Sequence, residues 1–169
     1  MEQKVIILRG VPASGKTTIA KQYRNFDKKF AWIKVDNFKD FFAEDASQAL
    51  EYINGSAIAT LKYLLEQGFS IIIDGVFQDT TAIDQAFTLC KEMNIPIKIF
   101  ELDVSLETLK KRDSQREGVP EGLRKPLGDQ AIETIYSKLK ASPYPNAIKV
   151  NTEENNLEEC RKIIDKNFA

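Results

Sequence analysis

Gly10, Gly15, Lys16 and Thr17 stand at the spacing G-x-x-x-x-G-K-[ST] inside the stretch GVPASGKTT, and each residue type has a physical job there. Glycines let the backbone curl until successive N–H groups point inward at phosphate oxygens. The lysine reaches the β- and γ-phosphates, and the hydroxyl after it ligates Mg²⁺. A helix starting at this point adds the positive end of its dipole. The stretch therefore reads as a phosphate-binding loop, with Gly10, Ala13, Ser14, Gly15, Lys16, Thr17 and Thr18 as candidate ATP-binding residues. A dinucleotide-binding G-x-G-x-x-G reading, suggested by Asp36 further on, fails because its second glycine falls on Pro12. Proline has no N–H and blocks close backbone approach to a pyrophosphate.

Three further groups could complete a site. Asp36 follows the apolar run Ala31–Val35 and is placed to take a proton from an attacking hydroxyl, or else only to cap the next segment. Asp74 follows Phe69–Ile73 and matches the acidic residue expected near Mg²⁺, with Thr17 as the other metal-side group. Asp103 follows a similar run and is read as a turn residue. Lys110, Lys111, Arg112, Arg116, Arg124 and Lys125 form a basic cluster; Arg112 and Arg116, four apart, are expected on one side of a helix that ends at a lid of about residues 112–127. Guanidiniums there could clamp a triphosphate, where a solvated face is the plainer alternative.

The elements that must position these groups alternate. Val5–Leu8 reads as a doubly buried strand, Thr17 to about Arg24 as a helix and Ala31–Val35 as a second strand. A long helix follows, capped by Ser47, with Leu50, Ile53, Ala57, Leu61 and Leu64 on one stripe and a potential break at Asn54-Gly55-Ser56; Gly68 ends it. Phe69–Ile73 is a strand, Thr81-x-x-Asp84 opens a helix, Ile97–Leu102 is a strand and Ser105 caps a helix. Asp129 is expected to cap the helix after the lid, Ala147–Val150 is the last strand, and Asn156-x-x-Glu159 boxes the last helix. Strand–helix alternation predicts an α/β fold with a mostly parallel sheet of about five strands, in which ligands sit at the carboxyl ends of the strands. Gly10, Asp36 and Asp74 share that edge.

The totals narrow the class. The 169 residues, 43% hydrophobic and without a linker-like segment, suit a single domain over 1–169. A net charge of −1 gives no global basic field for nucleic acid or membrane. No histidine is present, so His-based nucleophile pairs are excluded and a zinc site is not expected. Cys90 and Cys160 read as core thiols, and a cytoplasmic protein without signal or span is expected.

VIILRGVPASGKTTIA, VDNFKDFF, LDVSLETLKKRDSQR and AIETIYSKLKASPYPNAIKVNT together resemble the small P-loop kinases of the polynucleotide kinase, zeta-toxin and chloramphenicol phosphotransferase type, within the AAA-type ATPase-kinase group. The resemblance implies a three-layer fold with sheet order 2-3-1-4-5, and Mg²⁺ and ATP as cofactors. It also implies Asp36 as general base, Lys16 as phosphate lysine, Arg112 and Arg116 as lid arginines and Asp74 near acceptor or metal. Phe38 and Lys39 are the candidate acceptor contacts, although the family's arginine is replaced by Lys39, a point charge without the bidentate fork. The last strand ends in Asn151, where relatives commonly carry an acidic residue. The expected activity is γ-phosphoryl transfer to a hydroxyl acceptor, either a polynucleotide 5′-hydroxyl or a small metabolite. A regulatory ATPase without acceptor, a toxin-like sugar-nucleotide kinase and GTP as donor remain as alternatives.

Overall fold

The computed structural model describes residues 2–42, 50–116 and 125–168. Five parallel strands form one sheet in the order β2-β3-β1-β4-β5, as the resemblance implies. They are β1 (Val5–Arg9), β2 (Phe30–Lys34), β3 (Ser70–Gly75), β4 (Ile97–Asp103) and β5 (Ile148–Asn151). Helices α1 (Lys16–Phe26), α2 (Leu50–Glu66), α3 (Thr81–Glu92), α4 (Leu106–Ser114), α5 (Asp129–Ala141) and α6 (Leu157–Lys166) connect and cover them, with a 3₁₀ helix at Val35–Phe41.

Alternation along the strands sorts the core into two layers. Val5, Ile7, Ile71 and Ile73 face α2 and α3, meeting Ile53, Ala57, Leu61, Ile83, Ala86 and Cys90. Ile6, Leu8, Ile72 and Phe100 face α1 and α6, meeting Ile19, Ala20, Tyr23, Cys160 and Ile164. A side chain fully buried in this way contributes about 1.5–3 kcal/mol relative to exposure, so β1 and β3, buried along their whole length, form a rigid floor. A third cluster, Val11, Val104, Leu109, Ile132 and Leu139, seats α4 and α5 at one end of the sheet. Cys90 and Cys160 are buried and free, and burial pushes the Cys90 thiol up to about 11.

Several local expectations are corrected. The Asn54-Gly55-Ser56 triplet does not break α2, because Ile53 and Ala57 on either side are both locked into the core. That packing outweighs the roughly 1 kcal/mol a glycine costs within a helix. The buried stripe continues through Leu65 rather than Leu64, which is only partly buried. Thr81 does not cap α3; Asp79 accepts from the Thr81 N–H at 2.9 Å and its hydroxyl at 2.7 Å. Asp129 is the first residue of α5 rather than its cap, which is Gly128 at φ 87. The start of α5 is held from outside, by Asp113 Oδ2 accepting from the N–H groups of Leu127 (2.8 Å) and Gly128 (3.0 Å). Asp103 closes β4 and pairs with Lys140 at 2.8 Å, so it is a brace to α5 rather than a turn residue. Ser105 and the Asn156–Glu159 box cap α4 and α6 as read from sequence. Ser47 and Arg124 lie outside the described residues, as do residues 117–124 of the lid segment.

Candidate active site

The loop between β1 and α1 is shaped by two left-handed residues, Ala13 at φ 70 and Gly15 at φ 101. This geometry turns successive N–H groups toward one concavity and feeds it into the N-terminus of α1. No acidic residue sits in the first turn of α1, so its positive end is not internally compensated. Gly10 is required by space: a Cβ there would lie 2.7 Å from Ser14 Oγ and 3.3 Å from Leu102 Cβ. Ser14 is buried, and its hydroxyl has no hydrogen-bond partner among the described residues. Thr18 is exposed, with its N–H donating to Gly15 O at 3.1 Å.

Lys16 is 8% exposed, and its ammonium donates to Gly10 O at 2.8 Å and Val11 O at 3.0 Å. Burial lowers its pKa from 10.5 to about 8, opposed by the nearby carboxylates of Asp74 and Asp36, while Arg116 and Lys34 lower it further. Lys16 is thus a cation held out of water that gains from any anion brought beside it.

Asp74 lies in β3 between Leu8 of β1 and Lys34 of β2. It is 2% exposed, and its Oδ2 accepts from Thr17 Oγ1 at 3.1 Å. Burial raises its pKa, partly offset by Lys16 and the Thr17 hydroxyl. Asp36 sits two residues beyond the end of β2, within the 3₁₀ helix. Burial would raise its pKa, but the Lys39 ammonium at 2.8 Å, with Lys16 and Lys34, holds the carboxyl below the usual range. Lys39 is therefore engaged with Asp36.

The aromatic and lid residues divide. Phe38 and Phe42 pack partly buried against the core, whereas Phe41 is 75% exposed and meets Phe38 edge-on. Arg112 and Arg116 do not share a helical face, because α4 ends at Ser114 and Gln115 is its C-cap. Arg112 donates to Thr152 Oγ1 (3.0 Å) and Thr152 O (2.8 Å), and Thr152 in turn donates to Ser14 O at 2.9 Å. Arg116 pairs with the buried Asp113 at 3.3 Å, and its charge reaches Lys16. Lys110 is spent on Glu133, an ion pair that braces α4 against α5, while Lys111 and Lys125 are exposed.

One participant has no signature in the sequence. Arg9, the last residue of β1, is fully buried and ion-paired with Glu101. It also donates to Phe77 O at 3.1 Å and Ser142 O at 2.8 Å, and Lys149 neutralises the other oxygen of Glu101 at 2.8 Å. One guanidinium thus ties the root of the phosphate loop to the β3–α3 connection and to the end of α5. The only sequence hint was a cation abutting an otherwise apolar strand.

A parallel sheet in this order, a glycine-lysine loop between β1 and α1, and an acidic residue on the adjacent strand form one framework, and the AAA domain family matches residues 5–141 of it. The chain belongs to the AAA domain family. No curated protein matches this AAA domain in sequence. Among solved structures, a candidate kinase from Chloroflexus aurantiacus J-10-fl is similar at 19% identity and TM-score 0.72, over 98% of both chains. A gluconokinase from Sinorhizobium meliloti 1021 is similar at 13% identity and TM-score 0.63, over 96% of this chain and 90% of that one. A chain of the Pnkp1/Rnl/Hen1 RNA repair complex is similar at 22% identity and TM-score 0.64, over 88% of this chain and 50% of that one. At these identities the likeness is one of fold. Family and site together support a nucleotide-binding, kinase-like domain, and among the described residues no helix is long and apolar enough to cross a membrane.

Proposed function

We propose that this AAA domain is a kinase moving the γ-phosphoryl group of ATP to a hydroxyl acceptor. The observation that carries the reading is that one sheet edge gathers the buried Lys16 ammonium, donating to Gly10 O and Val11 O, Asp74 near the end of β3, bonded to Thr17, and Asp36 just past the end of β2, both carboxylates raising the Lys16 pKa. A phosphate in the loop would replace the Gly10 and Val11 carbonyls as partner of Lys16 and relieve its burial cost. The acceptor oxygen forms the new bond to phosphorus, the bond to the bridging oxygen breaks, and ADP leaves with that electron pair. Asp36 orients the attacking hydroxyl and takes its proton. Its low pKa suits a late proton transfer, which the loose transition state of phosphoryl transfer permits. Arg116 supplies charge from the lid side, and Arg112 fixes Thr152 against the phosphate loop.

Thr17 Oγ1 and Asp74 offer hard oxygen donors 3.1 Å apart, a fit for Mg²⁺, which takes one or two protein groups and fills its sphere with water and phosphate. When bound, that ion neutralises phosphate charge. Among the described residues no group of three or more His, Cys, Asp or Glu side chains is placed to hold a metal ion.

The test is transfer of γ-labelled phosphate from Mg·ATP to a panel of 5′-hydroxyl oligonucleotides, sugars and aminated sugars, beside Lys16→Ala and Asp36→Asn. Label on one acceptor class, lost in both variants, is expected. Free phosphate as the sole product, at equal rates in wild type and Asp36→Asn, would overturn the kinase in favour of an acceptor-free ATPase. The solved structures of similar fold include an RNA repair component and a gluconokinase, so both polymer and metabolite acceptors belong in the panel.

A further inference from the structure

A cleft of about 820 Å³ opens between the first half of α2 and the start of α3. Its wall carries the rings of Phe42 and Tyr52, stacked at 6.1 Å and 30°. Phe42 is anchored in the core and Tyr52 is 64% exposed, so the pair presents a fixed aromatic surface. Asn54 and Gln85 supply neutral hydrogen-bonding groups, and Glu51 and Asp79 supply carboxylates. The Thr81 N–H and hydroxyl hold the Asp79 carboxyl below its usual range, so it is an anion at neutral pH. Gly55 keeps the wall open, with no atom of the described residues within 4 Å of where a Cβ would stand.

We propose that this cleft seats the acceptor, and that the acceptor is an amine-bearing, polyhydroxylated compound of two or more linked rings. The proposal rests on the kinase reading above and names its substrate class. Three observations lead to it.

The cleft adjoins the catalytic edge by chain connection. Phe42 caps the 3₁₀ helix that carries Asp36 and stands six residues after it, about 12 Å at that helix's rise per residue. Asp79 follows Asp74 by five residues. A molecule held by Tyr52 and Glu51 must extend beyond one ring to place a hydroxyl at Asp36.

The charge of the lining selects against polyanions. No lysine or arginine lines the cleft among the described residues. Lys39, three residues before Phe42, is engaged by Asp36. A nucleic acid strand would meet carboxylates where it needs counter-charges. Ammonium groups are instead matched by Glu51 and Asp79.

The polar and aromatic groups fit sugar rings. Amide side chains pair with hydroxyls in both donor and acceptor roles, and aromatic faces cover the apolar faces of rings and attract adjacent cations.

The experiment uses kanamycin, maltotriose and a 5′-hydroxyl oligonucleotide as acceptors for γ-labelled ATP, with Glu51→Gln and Tyr52→Ala checked for fold by circular dichroism. Label is expected on kanamycin, with KM for kanamycin raised about tenfold in each variant, while kcat and the affinity for ATP are unchanged. Label on the oligonucleotide but not on kanamycin, or a kanamycin KM unmoved by both substitutions, overturns the proposal and leaves the kinase standing. Hydrolysis of ATP with no label on any acceptor removes the kinase reading instead. Calorimetric titration of kanamycin into nucleotide-free protein then decides the cleft: binding weakened by Glu51→Gln upholds it as an aminated-sugar site, and absence of binding overturns it.

Discussion

Lys16 should make the unliganded protein less stable than it need be, by an amount that pH can dial. Burial lowers its pKa from 10.5 to about 8, so between these values the unfolded chain binds a proton that the folded chain does not. Stability then rises with pH across that window, and below pH 8 the cost of the buried charge is present in full. At about 1.4 kcal/mol per pKa unit, the gain between pH 7 and pH 10 comes to about 2–3 kcal/mol. Lys16→Met keeps the aliphatic stem and removes the titration. Urea unfolding followed by the single tryptophan, Trp32, at pH 7, 8, 9 and 10 gives both stabilities. Wild type minus variant should climb by about 2–3 kcal/mol over the series, because every other titrating group cancels in the difference. Saturating non-hydrolysable Mg·ATP should flatten the wild-type climb, since a phosphate beside the ammonium restores its affinity for the proton. Parallel pH curves for wild type and Lys16→Met would refute the claim that the loop holds a desolvated cation in wait for an anion.

Other substitutions probe the framework. Arg9→Met strands Glu101 and the carbonyls of Phe77 and Ser142, and should lower stability by about 3–5 kcal/mol in denaturant titrations. Gly10→Ala should keep the fold by circular dichroism but weaken ATP binding at least about tenfold, because the new methyl group displaces the Ser14 hydroxyl and distorts the loop. Asp113→Ala removes the acceptor for Leu127 and Gly128 and the partner of Arg116, at a cost of about 1–3 kcal/mol. It should reduce kcat more than it alters the dissociation constant for ATP.

What could be read in the sequence was what is encoded locally. The phosphate loop is nine consecutive residues with a backbone requirement at each glycine, and strands β1 and β3 announce themselves as continuous apolar runs. The placement of Asp36 and Asp74 at one edge was legible because strand ends converge on one edge in any such sheet. Arg9 was not, since its partner Glu101 lies 92 residues away and only the β1–β4 pairing brings them side by side. Asp113 was missed for a similar reason: a charged residue on a charged helix looks solvated until α5 is packed against it. The pairing of Arg112 with Arg116 went wrong because four-residue spacing carries meaning only while the helix lasts, and α4 stops before Arg116. Gly55 misled in the opposite direction, its local preference being overruled by the core contacts of Ile53 and Ala57.

The third core cluster joins Val11 of the phosphate loop to Leu109 of α4 and Ile132 and Leu139 of α5. The helical arm beside the nucleotide cradle therefore rests on the cradle itself, through a greasy bearing rather than a polar latch. Any swing that lifts α4 and α5 must wet that bearing, and exposing apolar surface carries a positive heat-capacity change. The balance between arm positions is then a curved function of temperature. Turnover limited by that swing would bend on an Arrhenius plot even where the chemistry at phosphorus is perfectly linear.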